Sequence, residues 1–302
     1  MSRPTLVVFA AGRGTRLRPL TDRLPKAMMP VLDLPLVDLA LARGSSVDWA
    51  GRIVNLSDPA PGLAEHLQAK TGVTLFDEGV EPFGTAATLR RLLPGLGDTV
   101  VTYNCDMVSD LDLSELLESH ARAGKPCTLA VQTVARGADL TAEGDLRLID
   151  RRLEDRPGFL FLGAAVFDRG LLEAIAPTEP LGLVAGLLEE AVDQQRVALF
   201  EHAGYARDAG SLDRYLQVNL DALDPSRRTT QTPGSISPDG WYVGPGTQVD
   251  PDCLGKGAVV LAGARVGAGC RLSSCVVWPG SVVPPGTTCD GGIWFEGRFL
   301  TV

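Results

Sequence analysis

Histidine is scarce in this chain, with three in 302 residues: His66, His120 and His202. The first two fall in polar, helix-like stretches and the third lies just past an apolar strand, so none is assigned chemistry. The six cysteines (Cys105, Cys127, Cys253, Cys270, Cys275, Cys289) form no C-x-x-C pair and have no histidine beside them. That spacing argues against a zinc site or a disulfide framework and for reduced, mostly buried thiols. Long apolar runs are missing too: nothing approaches a membrane span, and the first residues lack a signal-peptide core. A cytoplasmic protein with no membrane partner is expected. Positive charge is in deficit, 28 Lys and Arg against 37 Asp and Glu for a net −9, which argues against non-specific nucleic-acid binding.

Against that deficit one stretch stands out. Residues 12–26 carry four arginines and a lysine against a single aspartate, a local charge of +4. They follow the apolar run Leu6-Val7-Val8-Phe9, which reads as a buried parallel strand. The glycines Gly12 and Gly14 carry no Cβ, so backbone N–H groups can turn toward a ligand and approach it closely. A compact cationic loop in an acidic chain fits a small anionic ligand such as a phosphate chain. Two familiar glycine motifs are excluded. A dinucleotide fingerprint needs a third glycine where Leu17 stands, and Pro19 interrupts the helix that should follow. A P-loop needs Gly-Lys-Ser/Thr, which does not occur here.

Beyond the loop, strands expected at 52–55, 73–76 and 98–103 alternate with helices at 37–43, 62–69, 86–93 and 113–121. This predicts an α/β fold whose sheet is mostly parallel and covered on both faces, with ligands beyond the carboxyl ends of the strands. Strands at 128–133, 146–149 and 159–167 read as a more antiparallel patch, followed by helices at 181–193 and 211–223. Residues 225–240 are rich in Ser, Thr, Pro and Gly without apolar periodicity and read as a linker between domains at 1–224 and 241–302. In the second domain Val243, Val249, Leu254, Val260, Val266, Leu272, Val277 and Val283 recur every five or six residues. Such a period predicts a short parallel β-helix that needs capping by the first domain or a second subunit, and a homo-oligomer formed through it is expected.

The loop reads G-x-G-T-R-L-x-P-L-T and then P-K, and it resembles the signature of the sugar-1-phosphate nucleotidyltransferases in every fixed letter. The resemblance runs along nearly the whole chain. It implies a Rossmann-like nucleotidyltransferase domain, a left-handed hexapeptide β-helix, and a nucleoside triphosphate and a sugar 1-phosphate as partners. It places Ala11, Gly12, Gly14, Thr15 and Arg16 on the nucleotide, with Arg13 a lesser candidate, and Lys26 as a phosphate clamp. The segment Glu81-Pro82-Phe83-Gly84-Thr85-Ala86 resembles the P-L-G-T-A of mannose-1-phosphate guanylyltransferases. Gly84 and Thr85 would then read the base, with guanine ahead of uracil and thymine; the local alternative is that Thr85 caps a helix.

Asp106, just past an apolar strand, occupies the aspartate of the family's N-G-D, with Cys105 in place of its glycine. Asp208 falls in a W-x-D-x-G-like segment. The resemblance makes this pair the magnesium ligands; taken singly, each also reads as a turn aspartate. The family's E-K-P is here Glu154-Asp155-Arg156-Pro157, so Arg156 stands where a lysine holds the sugar phosphate, with Asp155 and Gly163 nearby. Two rival readings stand beside this one, the first from the sugar segment and the second from the repeat domain. A nucleotide-sugar-sensing subunit on the same fold would keep the phosphate loop and lose the sugar half. An acyltransferase activity in the repeat domain is disfavoured because residues 235–302 contain no histidine.

Overall fold

The run Thr5–Phe9 (β1) is buried along its whole length, as a strand covered on both faces must be. In the computed structural model, which describes residues 2–58, 60–141, 144–148, 155–228 and 230–302, it lies inside a seven-stranded sheet. The other strands are Gly51–Leu56 (β2), Val73–Asp77 (β3), Thr99–Asn104 (β4), Cys127–Val134 (β5), Gly158–Asp168 (β6) and Val197–Glu201 (β7). Their order is β7-β5-β6-β4-β1-β2-β3. β1 pairs in parallel with both β2 and β4, β3 is parallel to β2, and only β6 runs antiparallel to its neighbours β4 and β5. Chain order reverses between β1 and β4, which makes their carboxyl ends the switch point where such sheets hold ligands. The expected mixed, mostly parallel sheet is therefore present. Residue 149 of the strand expected at 146–149, and Glu154, lie outside the described residues.

The chain divides into two compact units that do not follow sequence order. The first holds the sheet: Met1–Arg13, Ala40–Met107 and Leu111–Ala206. On one face Val7, Phe9, Val100, Leu129 and Phe167 meet Ala86, Leu89 and Leu92 of helix Thr85–Leu92 and Leu188 and Val192 from the segment 184–193. That last segment is a π-helical turn, Val184–Leu188, running into a short α-helix, Glu189–Asp193, rather than one continuous α-helix.

The second unit gathers Gly14–Leu39, Val108–Asp110 and Arg207–Val302. Its C-terminal strands stack in parallel in three columns: Val243, Val260, Val277 and Trp294; Val249, Val266 and Val283; and Gly255, Leu272 and Cys289. Every step is 17 residues, as 260 − 243 shows, which is the arrangement of a parallel β-helix. One expectation is corrected. Leu254 is 58% exposed and does not join the stack. Gly255 takes that place because the Trp241 ring lies over it, and a Cβ there would come within 2.5 Å of the indole. Antiparallel strands Ser235–Ile236 and Arg298–Thr301 cover the outer edges of the larger sheet.

The same unit anchors the signature segment. A tight hairpin, Pro30–Val31 with Leu34–Pro35, turns through Leu32 and Asp33, both with positive φ. Leu32 N–H donates to Asn219 Oδ1 at 3.1 Å, and the Leu32 carbonyl and Asp33 Oδ2 both lie 3.0 Å from the Tyr242 hydroxyl. Asp33 Oδ1 accepts from Ala262 N–H at 2.8 Å. Burial pushes the Asp33 carboxyl up, and these two donors pull it back. Helix Leu212–Asp221 packs on the coils through Tyr215, whose ring centroid lies 6.0 Å from that of Trp278.

Candidate functional site

In the first unit the site begins where β1 and β4 end side by side. Phe9 is in register with Asn104, and Cys105 N–H still donates to the Phe9 carbonyl at 3.1 Å. The chain then opens into Ala10–Arg13 on one strand and Asp106 on the other. Cys105 is 4% exposed and free of positive φ, so the residue replacing the family glycine is accommodated without backbone strain. Ala10 and Ala11 direct their N–H groups to Asn55 Oδ1 at 2.6 and 3.3 Å, and the Ala11 carbonyl accepts from Ser57 at 2.8 Å. Both backbone polar groups of Ala11 are thus engaged internally, whereas Gly12 is exposed and open on its Cβ side. Arg13 is tied to Glu81 at 2.7 Å and to the Val80 carbonyl at 3.2 Å.

The segment Glu81-Pro82-Phe83-Gly84-Thr85-Ala86 is held from several sides. Phe83 N–H donates to Glu78 Oε2 at 2.8 Å, while its ring sits 4.2 Å under the Arg91 guanidinium and meets the Phe76 ring edge-on. Gly84 has no room for a side chain: a Cβ would fall 2.6 Å from the Leu181 carbonyl oxygen. The capping role considered for Thr85 is not what the structure shows. Thr85 is the first helical residue, and its hydroxyl accepts from Leu183 N–H at 2.8 Å, fastening the helix start to the neighbouring chain.

Gly163, on β6, lies against Asn104, whose amide nitrogen would be 2.6 Å from an added Cβ. Asp155 accepts from Gly137 N–H at 2.8 Å and pairs with Arg136 at 3.0 Å; Arg156 is exposed.

In the second unit Gly14 adopts a left-handed conformation, φ +60°, under Thr21 and Lys26. Thr21 donates its hydroxyl to the Gly14 carbonyl at 2.9 Å. Gly14, Thr21 and Lys26 thus form one packed turn. A Cβ on Gly14 would meet Thr21 Cγ2 at 2.9 Å and Lys26 Cβ at 3.0 Å. Gly14→Ala is therefore expected to cost about 1–2 kcal/mol through its φ alone, and Gly12→Ala close to nothing. Thermal unfolding of the two variants side by side checks the contrast.

Of the four arginines in this stretch, Arg13 pairs with Glu81, Arg18 with Asp22 at 3.3 Å and Arg23 with Glu296 at 2.6 Å. Arg16 is exposed and has no carboxylate partner among the described residues. Asp208 ends the short strand Ala206–Asp208, which pairs with Met107–Ser109. Its Oδ1 accepts from Gly210 N–H at 2.5 Å, and its Oδ2 is paired with Arg214. Among the described residues no group of three or more metal-binding side chains is assembled, so a cation here would rest on single carboxylates and on the substrate's own oxygens.

Asn55, Glu78, Asp33 and Arg214 were not marked by the sequence reading. The available signal was positional for the first two, polar residues at or just past the carboxyl ends of β2 and β3. No helix among the described residues is long and apolar enough to cross a membrane.

The sequence profile of the nucleotidyl transferase family matches residues 5–140. A mannose-1-phosphate guanylyltransferase of Mycobacterium tuberculosis is 28% identical over 295 residues, covering 88% of this chain and 82% of its own. A UTP–glucose-1-phosphate uridylyltransferase of Synechocystis is 22% identical, covering 96% and 82%. Among solved structures, a Bacillus anthracis protein described as a glucose-1-phosphate thymidylyltransferase superposes with a TM-score of 0.63 at 17% identity, covering 75% of this chain and 96% of that one.

Proposed function

We propose, from the match of residues 5–140 to the nucleotidyl transferase family, that the protein joins a nucleoside triphosphate to a sugar 1-phosphate and releases pyrophosphate. GTP and mannose 1-phosphate are the favoured pair, supported by the guanylyltransferase relatives and by Pro82-Phe83-Gly84-Thr85-Ala86. The observation that carries the reading is the origin of the phosphate loop and of Asp106 at the carboxyl ends of adjacent strands β1 and β4.

A phosphate oxygen of the sugar 1-phosphate attacks the α-phosphorus in line, and the bond to the bridging oxygen breaks as pyrophosphate departs with the electron pair. The nucleophile is already anionic, so the protein's work is positioning and charge neutralisation. Backbone N–H groups from Gly12, Gly14 and Thr15 face the triphosphate, while Ala11 supplies shape. Arg16, which has no carboxylate partner among the described residues, meets the charge that develops on the phosphates. Lys26 clamps from the side of the Gly14 turn. Gly84 and Thr85 border the base, and Asp155, Arg156 and Gly163 form the sugar-phosphate side, where a guanidinium can grip two phosphate oxygens at once.

The carboxylates of Asp106 and Asp208 are hard oxygen donors that suit magnesium, and Asp208 already draws a cation, Arg214. A bound magnesium would offset phosphate charge and orient the reacting groups. We further place the protein in the cytoplasm and assign the coils a left-handed, oligomerising role.

The test is pyrophosphate release with magnesium, over nucleoside triphosphates paired with hexose and amino-sugar 1-phosphates. GTP with mannose 1-phosphate is expected to give the highest kcat/KM. Nucleotide-sugar binding by calorimetry with no pyrophosphate from any pair overturns the enzymatic reading.

A further inference from the structure

The first unit contains a buried polar chain that no step above uses. Asn55, at the carboxyl end of β2, is 3% exposed; Glu78, just beyond β3, is 5% exposed; and Thr88, one turn into the helix after Gly84, is fully buried. Asn55 Oδ1 receives the Ala10 and Ala11 N–H groups, and its Nδ2 donates to Glu78 Oε1 at 2.7 Å. Thr88 donates to the same oxygen at 2.5 Å, and Phe83 N–H donates to Oε2 at 2.8 Å. The Thr88 hydroxyl also lies 3.0 Å from the Gly84 carbonyl. A buried carboxylate is costly unless its oxygens are satisfied, and three donors satisfy this one. The chain of bonds therefore runs without a gap from the entrance of the phosphate loop to the turn at Phe83 and Gly84.

We propose that Asn55 and Glu78 are positioning residues that fix the spacing between the phosphate loop and the base-reading turn, and so set nucleotide affinity and base selectivity. This rests on the nucleotidyltransferase reading above. Neither side chain is placed against substrate. Each acts through the backbone it holds: Ala10 and Ala11 on one side, Phe83 on the other. Loop and turn are otherwise separate stretches of chain, joined here by the Arg13 pair with Glu81 at the surface and by this buried chain beneath it.

The donor and acceptor pattern supplies a reciprocal test. In Asn55→Asp, the oxygen replacing Nδ2 faces Glu78 Oε1, and two buried carboxylates repel. In Glu78→Gln, an amide nitrogen faces either Asn55 Nδ2 or Phe83 N–H, donor against donor. In the double variant the pattern closes again. The new amide nitrogen donates to the new carboxylate and to Thr88, Thr88 turns its proton to the Gly84 carbonyl, and the amide oxygen accepts from Phe83. Steady-state kinetics are measured with magnesium and a panel of GTP, UTP, dTTP and ATP, alongside thermal unfolding.

Each single variant is expected to raise the nucleotide KM by about ten- to a hundredfold and to compress the preference for the favoured base. The KM for the sugar 1-phosphate should stay within threefold, and the double variant should return nucleotide KM and preference to near wild type. Thr88→Val removes one donor while leaving the rest of the chain in place, and is expected to raise the nucleotide KM by about tenfold. Active, folded variants that keep the wild-type nucleotide KM and base preference overturn the proposal, as does a double variant no better than the singles. If the single variants do not fold, an unchanged nucleotide KM in Thr88→Val overturns it alone. A wild-type protein that turns over no pair overturns the underlying function instead, and is seen before any variant is made.

Discussion

Asp106→Ala is expected to lower turnover by about two to three orders of magnitude, the loss that follows when several kcal/mol of charge stabilisation are removed from a phosphoryl-transfer site. Asp208→Ala should cost less, about one to two orders. The difference comes from Arg214, which pairs with the Asp208 carboxylate. Removing Asp106 deletes a carboxylate at the switch point. Removing Asp208 deletes a carboxylate and frees a guanidinium, whose charge turns to the phosphates in partial compensation. The combined Asp208→Ala, Arg214→Ala variant should then fall below Asp208→Ala. Initial rates of pyrophosphate release at limiting and saturating magnesium separate these cases. Near-wild-type turnover in Asp106→Ala at limiting magnesium would sink the assignment of that residue.

Deleting residues 240–302 is expected to abolish activity and to remove most of the cooperative unfolding of the second unit. The lost residues include Tyr242, which bonds the Leu32–Asp33 turn, Ala262, which bonds Asp33, and Trp278, which packs on Tyr215. Exposing Tyr215 and Leu32, both almost wholly buried, forfeits roughly 1.5–3 kcal/mol each, before the lost hydrogen bonds are counted. Against a usual total of about 5–15 kcal/mol for a domain, such losses leave the Gly14–Leu39 segment without a fold of its own. Calorimetric unfolding, light scattering and pyrophosphate release on the shortened chain are the measurements. A truncated protein that keeps wild-type turnover would show that the coils serve assembly alone.

The sheet was legible because its strands are short apolar runs, and the loop because glycines, arginines and a proline occur at fixed offsets. What escaped the sequence depends on partners far along the chain. Asn55 reads as an ordinary polar residue closing a strand until Glu78 is brought beside it by the pairing of β2 with β3. Thr85 carries the composition of a cap, yet its hydroxyl is claimed by Leu183, 98 residues away.

In the coils Leu254 carries the apolar side chain that the repeat calls for, and Gly255 beside it carries none. Moving that one position restores steps of 6, 6 and 5 residues and hence the 17-residue interval of the observed pairing. A glycine in an inward place is invisible until the indole above it is known. Glu154 and residue 149 lie outside the described residues.

The anchoring of the Leu32–Asp33 turn bears on how the protein is made. Asp33 leaves the ribosome 229 residues before its partner Ala262. At about 5–20 residues per second the signature segment waits on the order of 10–45 s for the surface that holds it. The segment therefore takes its final form only after the coils that hold it have been made.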